Sequence, residues 1–274
     1  MNAYLGMDRA QLDAAYNNSA AVADSPRILA DWQARSDRLR AAHPQHLDLR
    51  YGDAERNRID YFVARRDAPV LVFIHGGYWQ MRAKENFSFL AAGPLAHGIN
   101  VALVGYTLAP EQRLTGIVAE VRAAIAWLAA ALERLGGDPA RIYVSGWSAG
   151  GHLTAMALDE PAVKGGLAVS GIYDLEPMRF CYINDKLDLD EREVRELSPL
   201  RRLPRGSAPL LLACGGAELP ELQRQSESYA AARARAELSG RLERLAGHNH
   251  FSILEELAHP DGKLTALVRE LVGD

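Results

Sequence analysis

The sequence predicts an α/β fold: a mostly parallel eight-stranded sheet with helices on both faces, folded as a single domain over residues 1–274. Three observations predict it. Short continuous apolar runs recur at residues 70–74, 101–104, 142–144, 167–169 and 210–213. Stretches of helical spacing separate them, as helices covering both faces of a buried parallel sheet require. An alternating pattern precedes them at residues 46–51 and 58–64, around a turn-rich 52–57, and reads as an antiparallel hairpin.

Taken in order, residues 1–44 form a helical N-terminal arm, with Leu29, Trp32 and Leu39 near helical spacing. The hairpin and the first two apolar runs follow. The clearest helix then carries Ile117, Val121, Ile125, Leu128, Leu132 and Leu135 on one stripe and stops at Gly136-Gly137. The run at 142–144 leads through a glycine-flanked turn into a helical stretch at 152–158. After the run at 167–169 the rhythm breaks. Residues 174–208 are charged and contain Pro177, Pro199 and Pro204, so they read as an insertion capping the active site. The run at 210–213 and a last strand at 241–245 precede Gly247-His248-Asn249-His250 and two closing helices.

A chain of 274 residues, 48% apolar and 24% charged, has the composition of an ordinary globular domain with a sizeable core. The formal charge of −4 carries no footprint for nucleic acid or an anionic membrane. Asp8 and Asp13 interrupt any N-terminal signal core, and no apolar run approaches the roughly 20 residues that span a bilayer. A cytoplasmic protein acting on a small molecule is the expectation, and a homodimer is compatible with it. Cys181 and Cys214 match no disulfide framework or metal motif and are expected to pack as reduced thiols.

The chemistry begins at Gly146-Trp147-Ser148-Ala149-Gly150, a GxSxG string between a strand and a helix. A sharp strand-to-helix turn presents the serine hydroxyl at the top of the sheet, which makes Ser148 a candidate nucleophile in an α/β-hydrolase fold. Upstream, the run at 70–74 leads into His75-Gly76-Gly77-Tyr78-Trp79, where this fold places its oxyanion loop. The amides of Gly77 and Ala149, with Gly76 or Tyr78 as a third donor, are the candidate oxyanion hole. His75 is expected to brace this loop and His152 to pack beside the turn.

A serine nucleophile needs a base, and the base an orienting acid, in the chain order Ser, Asp or Glu, His. His250 is preferred to His248 as base because Phe251 follows it as an apolar anchor. The two form no metal site, since no third ligand is near and HExxH is absent. Glu218, after the run at 210–213, holds the acid's position; Glu221 competes with it, and Asp174 follows the preceding strand. Tyr78, Trp79, Trp147, Tyr173 and Phe251 fall on loops at the catalytic edge as candidate substrate-binding aromatics, and Tyr78 is expected to narrow the acyl side of the site.

The HGGYW string, the GWSAGGH string ending at His152, Glu218 to Leu222 with Arg224-Gln225-Ser226, and Asn249-His250-Phe251 together resemble the arylformamidase, or kynurenine formamidase, branch of the α/β-hydrolases. The resemblance covers most of the chain from residue 46 onward. It implies a triad of Ser148, Glu218 and His250, with Glu218 where the family commonly has aspartate and Leu222 where an aromatic is frequent. It also implies hydrolysis of N-formyl-L-kynurenine to kynurenine and formate in tryptophan breakdown, without cofactor or metal. A short-chain carboxylesterase of broad specificity is the rival reading. A ligand-binding protein without catalysis is the rival outside catalysis, and the presence of every triad member argues against it.

Overall fold

The computed structural model describes residues 4–206 and 208–273; the first three residues of the expected arm and one residue of the expected cap lie outside the described residues. The arm contains α1 (Arg9–Ala15), α2 (Asn18–Ala21) and α3 (Ser25–Ala42). Asp8 caps α1 by accepting from the Gln11 amide, while Asn17 caps α2 by accepting from Ala20. Strands β1 (Leu49–Arg50) and β2 (Arg58–Phe62) form the hairpin, followed by β3 (Ala68–Ile74), α4 (Ala92–Ala96), β4 (Asn100–Val104) and α5 (Leu114–Leu135). Then come β5 (Gly137–Trp147), α6 (Ala149–Ala157), β6 (Val163–Val169), α7 (Asn184–Leu187) and α8 (Glu191–Leu197). The chain closes through β7 (Leu210–Gly215), α9 (Pro220–Arg235), β8 (Leu242–Leu245), α10 (Glu255–Ala258) and α11 (Lys263–Val272).

The eight strands form one sheet in the order β1-β2-β4-β3-β5-β6-β7-β8, with β2 antiparallel to its neighbours and β3 to β8 parallel. Both faces are buried, and alternation along β3 shows why. Val70, Val72 and Ile74 join the core formed with α5, α6 and α9, whereas Leu71 and Phe73 join the core formed with α3, α10 and α11.

Some boundaries differ from the sequence pattern. The hairpin's first strand starts at Leu49 because Pro44 to His46 form a 3-10 turn, to which proline brings a preset φ and no amide. Its second strand ends at Phe62, since the amides of Ala64 and Arg65 turn to the Asn100 side chain. By length and composition α5 could cross a bilayer, contrary to the expectation from apolar runs. Its stripe from Ile117 to Leu135 is instead buried against the sheet, and it ends where Gly136 takes a left-handed φ of 80°.

The described part of the expected cap, between β6 and β7, holds a 3-10 turn (Glu176–Phe180) with α7 and α8. Glu193 ties it to the start of α5, accepting from Arg113 at 2.8 Å and from the Thr115 amide at 3.1 Å. An ion network that the sequence pattern did not reveal fastens α3 to the sheet. Lys84 is 3% exposed and contacts Asp60 at 2.8 Å and Asp48 at 2.6 Å, and Arg40 on α3 also pairs with Asp60. Such pairing offsets the desolvation cost of the buried charges.

Candidate active site

Ser148 stands between β5 and α6 with φ 59° and ψ −119°, a conformation L-residues avoid unless the surroundings impose it. The surroundings do so here. A side chain on Gly146 would meet the Gly150 carbonyl oxygen at 2.3 Å, and one on Gly150 would meet that of Ile74 at 1.9 Å, so only glycines let β5 turn this sharply beside β3. The Ser148 amide donates to Val169 at 2.8 Å and anchors the turn to β6.

The loop after β3 runs close by. A Cβ on Gly76 would lie 2.6 Å from the Trp147 carbonyl oxygen and 3.1 Å from Ser148 Cβ. Gly77, Tyr78 and Trp79 all take positive φ, at 115°, 49° and 60°. Such backbone is sparsely populated and marks a tightly turned loop, strained at its two non-glycine residues. Ala149 opens α6, so its amide has no acceptor one helical turn earlier. His75 holds the loop by donating from Nδ1 to Gly76 O at 2.8 Å and stacking on Tyr106 at 4.3 Å. Burial lowers its pKa to about 4.

His250 and Glu218 meet although 32 residues separate them: His250 Nδ1 donates to Glu218 Oε2 at 3.1 Å. The two loops are already joined by their backbones, since the Ala217 amide donates to His248 O at 3.0 Å. The other carboxylate oxygen, Oε1, accepts from the Gly215 amide at 2.6 Å and from Ser170 Oγ at 2.5 Å. Glu218 is therefore fixed through both oxygens. Ser148, His250 and Glu218 are 2%, 3% and 6% exposed, so the low dielectric around them strengthens these bonds.

The competitors are engaged elsewhere. Glu221 accepts from Tyr16 Oη at 3.0 Å and pairs with Arg224, while Asp174 accepts from Tyr4 Oη and pairs with Arg201 at 3.1 Å. His248 turns Nδ1 to Ser252 O and Nε2 toward Glu256. Ser170 is a site residue that the sequence reading missed. Its sole local signal was its place at the end of β6, one strand from the serine turn.

The expected substrate-binding aromatics separate into three groups. Trp147 and Phe251 flank His250, with Trp147 packed on its ring at 4.7 Å. Trp79 and Tyr173 are fully buried: Trp79 packs edge-on against His152 and Tyr173 stacks on Tyr229 at 4.5 Å, so both serve the core. Tyr78 directs its hydroxyl to the arm, donating to Tyr16 O at 2.6 Å and accepting from Asn18 Nδ2 at 3.0 Å. Its side chain thus fastens α2 and does not stand free as an acyl-pocket wall. His152 packs beside the turn as expected and donates from Nε2 to Leu197 O on α8 at 2.8 Å.

A cavity of about 510 Å³ opens beside the His250–Glu218 pair, bounded by Asn18 and residues 21–24 of the arm, by 217–220, and by Asn249 and His250. A second, of about 430 Å³ and lined by His43, His46 and Arg134 among others, includes Gly136. That places it where Ala68 pairs with Gly137, at the opposite end of the strands from Ser148.

The model of the prolyl oligopeptidase family matches residues 115–238, and a model described as BD-FAE matches residues 62–163. Kynurenine formamidase from Danio rerio is 31% identical, the match covering 100% of this chain and 99% of the relative. The enzyme of that name from Salmo salar is 33% identical over 87% of this chain and 85% of its own. Among solved structures, a protein from Silicibacter sp. TM1040 named as a thioesterase superposes with a TM-score of 0.84 at 30% identity, covering 94% of this chain and 98% of that one. The carboxylesterase EstE1 shares the fold, with a TM-score of 0.70 at 22% identity over 90% and 96% of the two chains. With a relative 31% identical across its whole length, the chain belongs to the kynurenine formamidase family, hydrolases of the α/β-hydrolase fold.

Proposed function

We propose that this enzyme hydrolyses N-formyl-L-kynurenine to kynurenine and formate through a formyl-enzyme on Ser148. The observation that carries the reading is the His250–Glu218 hydrogen bond beside a strained, glycine-flanked serine turn. His250 takes the Ser148 proton as Oγ attacks the formyl carbon, and Glu218 stabilises the imidazolium and fixes its tautomer. Negative charge on the former carbonyl oxygen faces the amides of Gly77 and Ala149, with Gly76 or Tyr78 as a third donor. Collapse breaks the C–N bond while His250 returns its proton to the departing arylamine nitrogen. Water then attacks the formyl ester, His250 takes its proton, and the proton returns to Ser148 Oγ as formate leaves. Every step runs on side chains and backbone amides, so the proposal calls on no cofactor.

The buried surroundings of Ser148 and the close approach of Gly76 support a small acyl group. This reading assigns the enzyme to tryptophan catabolism in the cytoplasm and makes residues 174–208 the cap of the site. Comparing kcat/KM for N-formylkynurenine with p-nitrophenyl acetate, butyrate and octanoate tests it. Turnover of N-formylkynurenine, with acetyl preferred to butyryl by at least about tenfold, is expected, since each misfit methylene costs roughly 1 to 3 kcal/mol. Acetyl esters hydrolysed without turnover of N-formylkynurenine would assign a short-chain carboxylesterase, and octanoate as the best substrate would remove the small-acyl site.

A further inference from the structure

The N-terminal arm reaches the loop after β3 through one side chain. Tyr78 directly follows Gly76 and Gly77, and its φ of 49° is one that an L-residue holds only when its surroundings impose it. On either side of it the loop is pinned by its own backbone. The amides of Gln80 and Met81 both donate to Gly77 O at 3.0 Å, and Trp79 O accepts from the Ala109 amide at 2.8 Å. Tyr78 itself is held by its side chain. The ring lies edge-on to Tyr182 at 6.4 Å, and the hydroxyl donates to Tyr16 O at 2.6 Å while accepting from Asn18 Nδ2 at 3.0 Å. The far end of the tyrosine is thus clamped from both sides by the arm.

The arm is firmly anchored at this point. Tyr16, at the end of α1, is fully buried, and its hydroxyl donates to Glu221 Oε2 at 3.0 Å and accepts from Gln225 Nε2 at 3.2 Å, both on α9. Gln225 is fixed in turn, since its Oε1 accepts from the amides of Tyr173 and Asp174 at 2.9 and 2.7 Å. Hydrogen bonds therefore run from the helix that follows Glu218, through Tyr16, to the loop whose Gly76 passes Ser148. Among the described residues the amides of Gly77 and Tyr78 have no hydrogen-bond acceptor.

We propose that Tyr78 is a positioning residue: clamped by Tyr16 O and Asn18, its side chain holds the Gly77–Tyr78 backbone in the conformation that stabilises the oxyanion, so that the N-terminal arm helps set the rate of the chemical step. This role rests on the reading above, in which the Gly77 amide faces the former carbonyl oxygen. The Tyr78 side chain touches no reacting atom; it acts through the backbone it fixes. Oxyanion donors work because they are aimed before charge develops, and a misplacement of about 1 Å can cost on the order of 100-fold in rate. A residue in a strained conformation, released at its hydroxyl, has somewhere to relax to.

The test uses the full-length chain, p-nitrophenyl acetate, and 2,2,2-trifluoroacetophenone, a ketone that a nucleophilic serine converts to a tetrahedral oxyanion. Tyr78→Phe keeps the ring and removes the clamp. Its kcat should fall about tenfold with KM held, part of the 10² to 10³ lost with a whole oxyanion donor, and its Ki for the ketone should rise by about the same factor. A merely structural role would lower stability without moving Ki. Asn18→Leu, which removes one bond of the clamp, should lower kcat about threefold in the wild type and cost nothing further in Tyr78→Phe, since both act through the same hydroxyl. If Tyr78→Phe does not fold, Asn18→Leu alone reads the same pair, with kcat falling and Ki rising together. An unchanged kcat, a fall in kcat with the ketone bound as tightly as before, or additive costs in the double variant overturns the positioning role. A wild type that hydrolyses no ester removes the serine-hydrolase reading and this role with it, whereas one that fails only on N-formylkynurenine removes the formamidase reading and leaves the role to the ester kinetics.

Discussion

Trp147 Nε1 donates to the carbonyl oxygen of His250 at 2.8 Å, so the residue immediately before the serine holds the backbone of the histidine. The indole also packs on the His250 ring at 4.7 Å and lies edge-on to Trp32 of α3 at 5.8 Å. Serine turn and histidine loop are thereby one unit. Trp147→Phe keeps much of the packing and removes the N–H. It should lower kcat by roughly threefold to tenfold with little change in KM, because only the alignment of the imidazole suffers.

Ser148→Ala should abolish labelling by a fluorophosphonate probe, since only the activated hydroxyl is nucleophilic enough to react. The variant should keep a wild-type circular dichroism spectrum. Labelling that persists would assign the nucleophile elsewhere.

Of the two histidines, His250→Ala should reduce turnover by several orders of magnitude, as loss of a triad member does, and His248→Ala by tenfold or less. Steady-state kinetics on p-nitrophenyl acetate read both. The distinction follows from the partners: His250 meets Glu218, whereas His248 turns to Ser252 and Glu256.

For the acid, Glu218→Gln should cost about 10³ to 10⁴ in kcat, because an amide in that place favours the wrong imidazole tautomer. Glu221→Gln should cost little, its carboxylate being engaged by Tyr16 and Arg224. Ser170→Ala should lie between, near tenfold, since Glu218 Oε1 would keep the Gly215 amide. Comparable effects in the two glutamates would move the acid elsewhere.

Two fully buried histidines predict acid sensitivity of the fold. Burial lowers the pKa of both His75 and His152 to about 4, below the ordinary value near 6.5. Between those values the unfolded chain binds protons that the folded chain excludes. Stability is therefore full above about pH 6.5 and falls as the pH drops toward 4, with a slope of about 1.4 kcal/mol per pH unit for each histidine. His152→Gln retains a donor for Leu197 O and cannot titrate. Urea unfolding at pH 7 and pH 5 should show a smaller loss of stability in this variant than in the wild type, and equal losses would refute the assignment.

What the sequence determined by itself is whatever local periodicity and backbone chemistry encode. Apolar runs of strand length separated by helical stripes specify a parallel sheet covered on both faces. GxSxG between a strand and a helix specifies the serine turn, because only glycine permits the close passages at Gly146 and Gly150. The HGG loop was legible for the same reason. Tertiary structure alone decided how side chains meet across long separations. Glu218, Glu221 and Asp174 were all plausible acids along the chain, and the pairing of the β7 and β8 loops brought Glu218 to His250. Tyr78 and Trp79 sat in a motif that suggested a pocket, yet one holds the arm and the other fills the core. Ser170 carried no local signal beyond its place at the end of β6. Periodicity reports which face of an element is buried, whereas the partner a polar side chain finds depends on loops that fold against one another only once the sheet has formed.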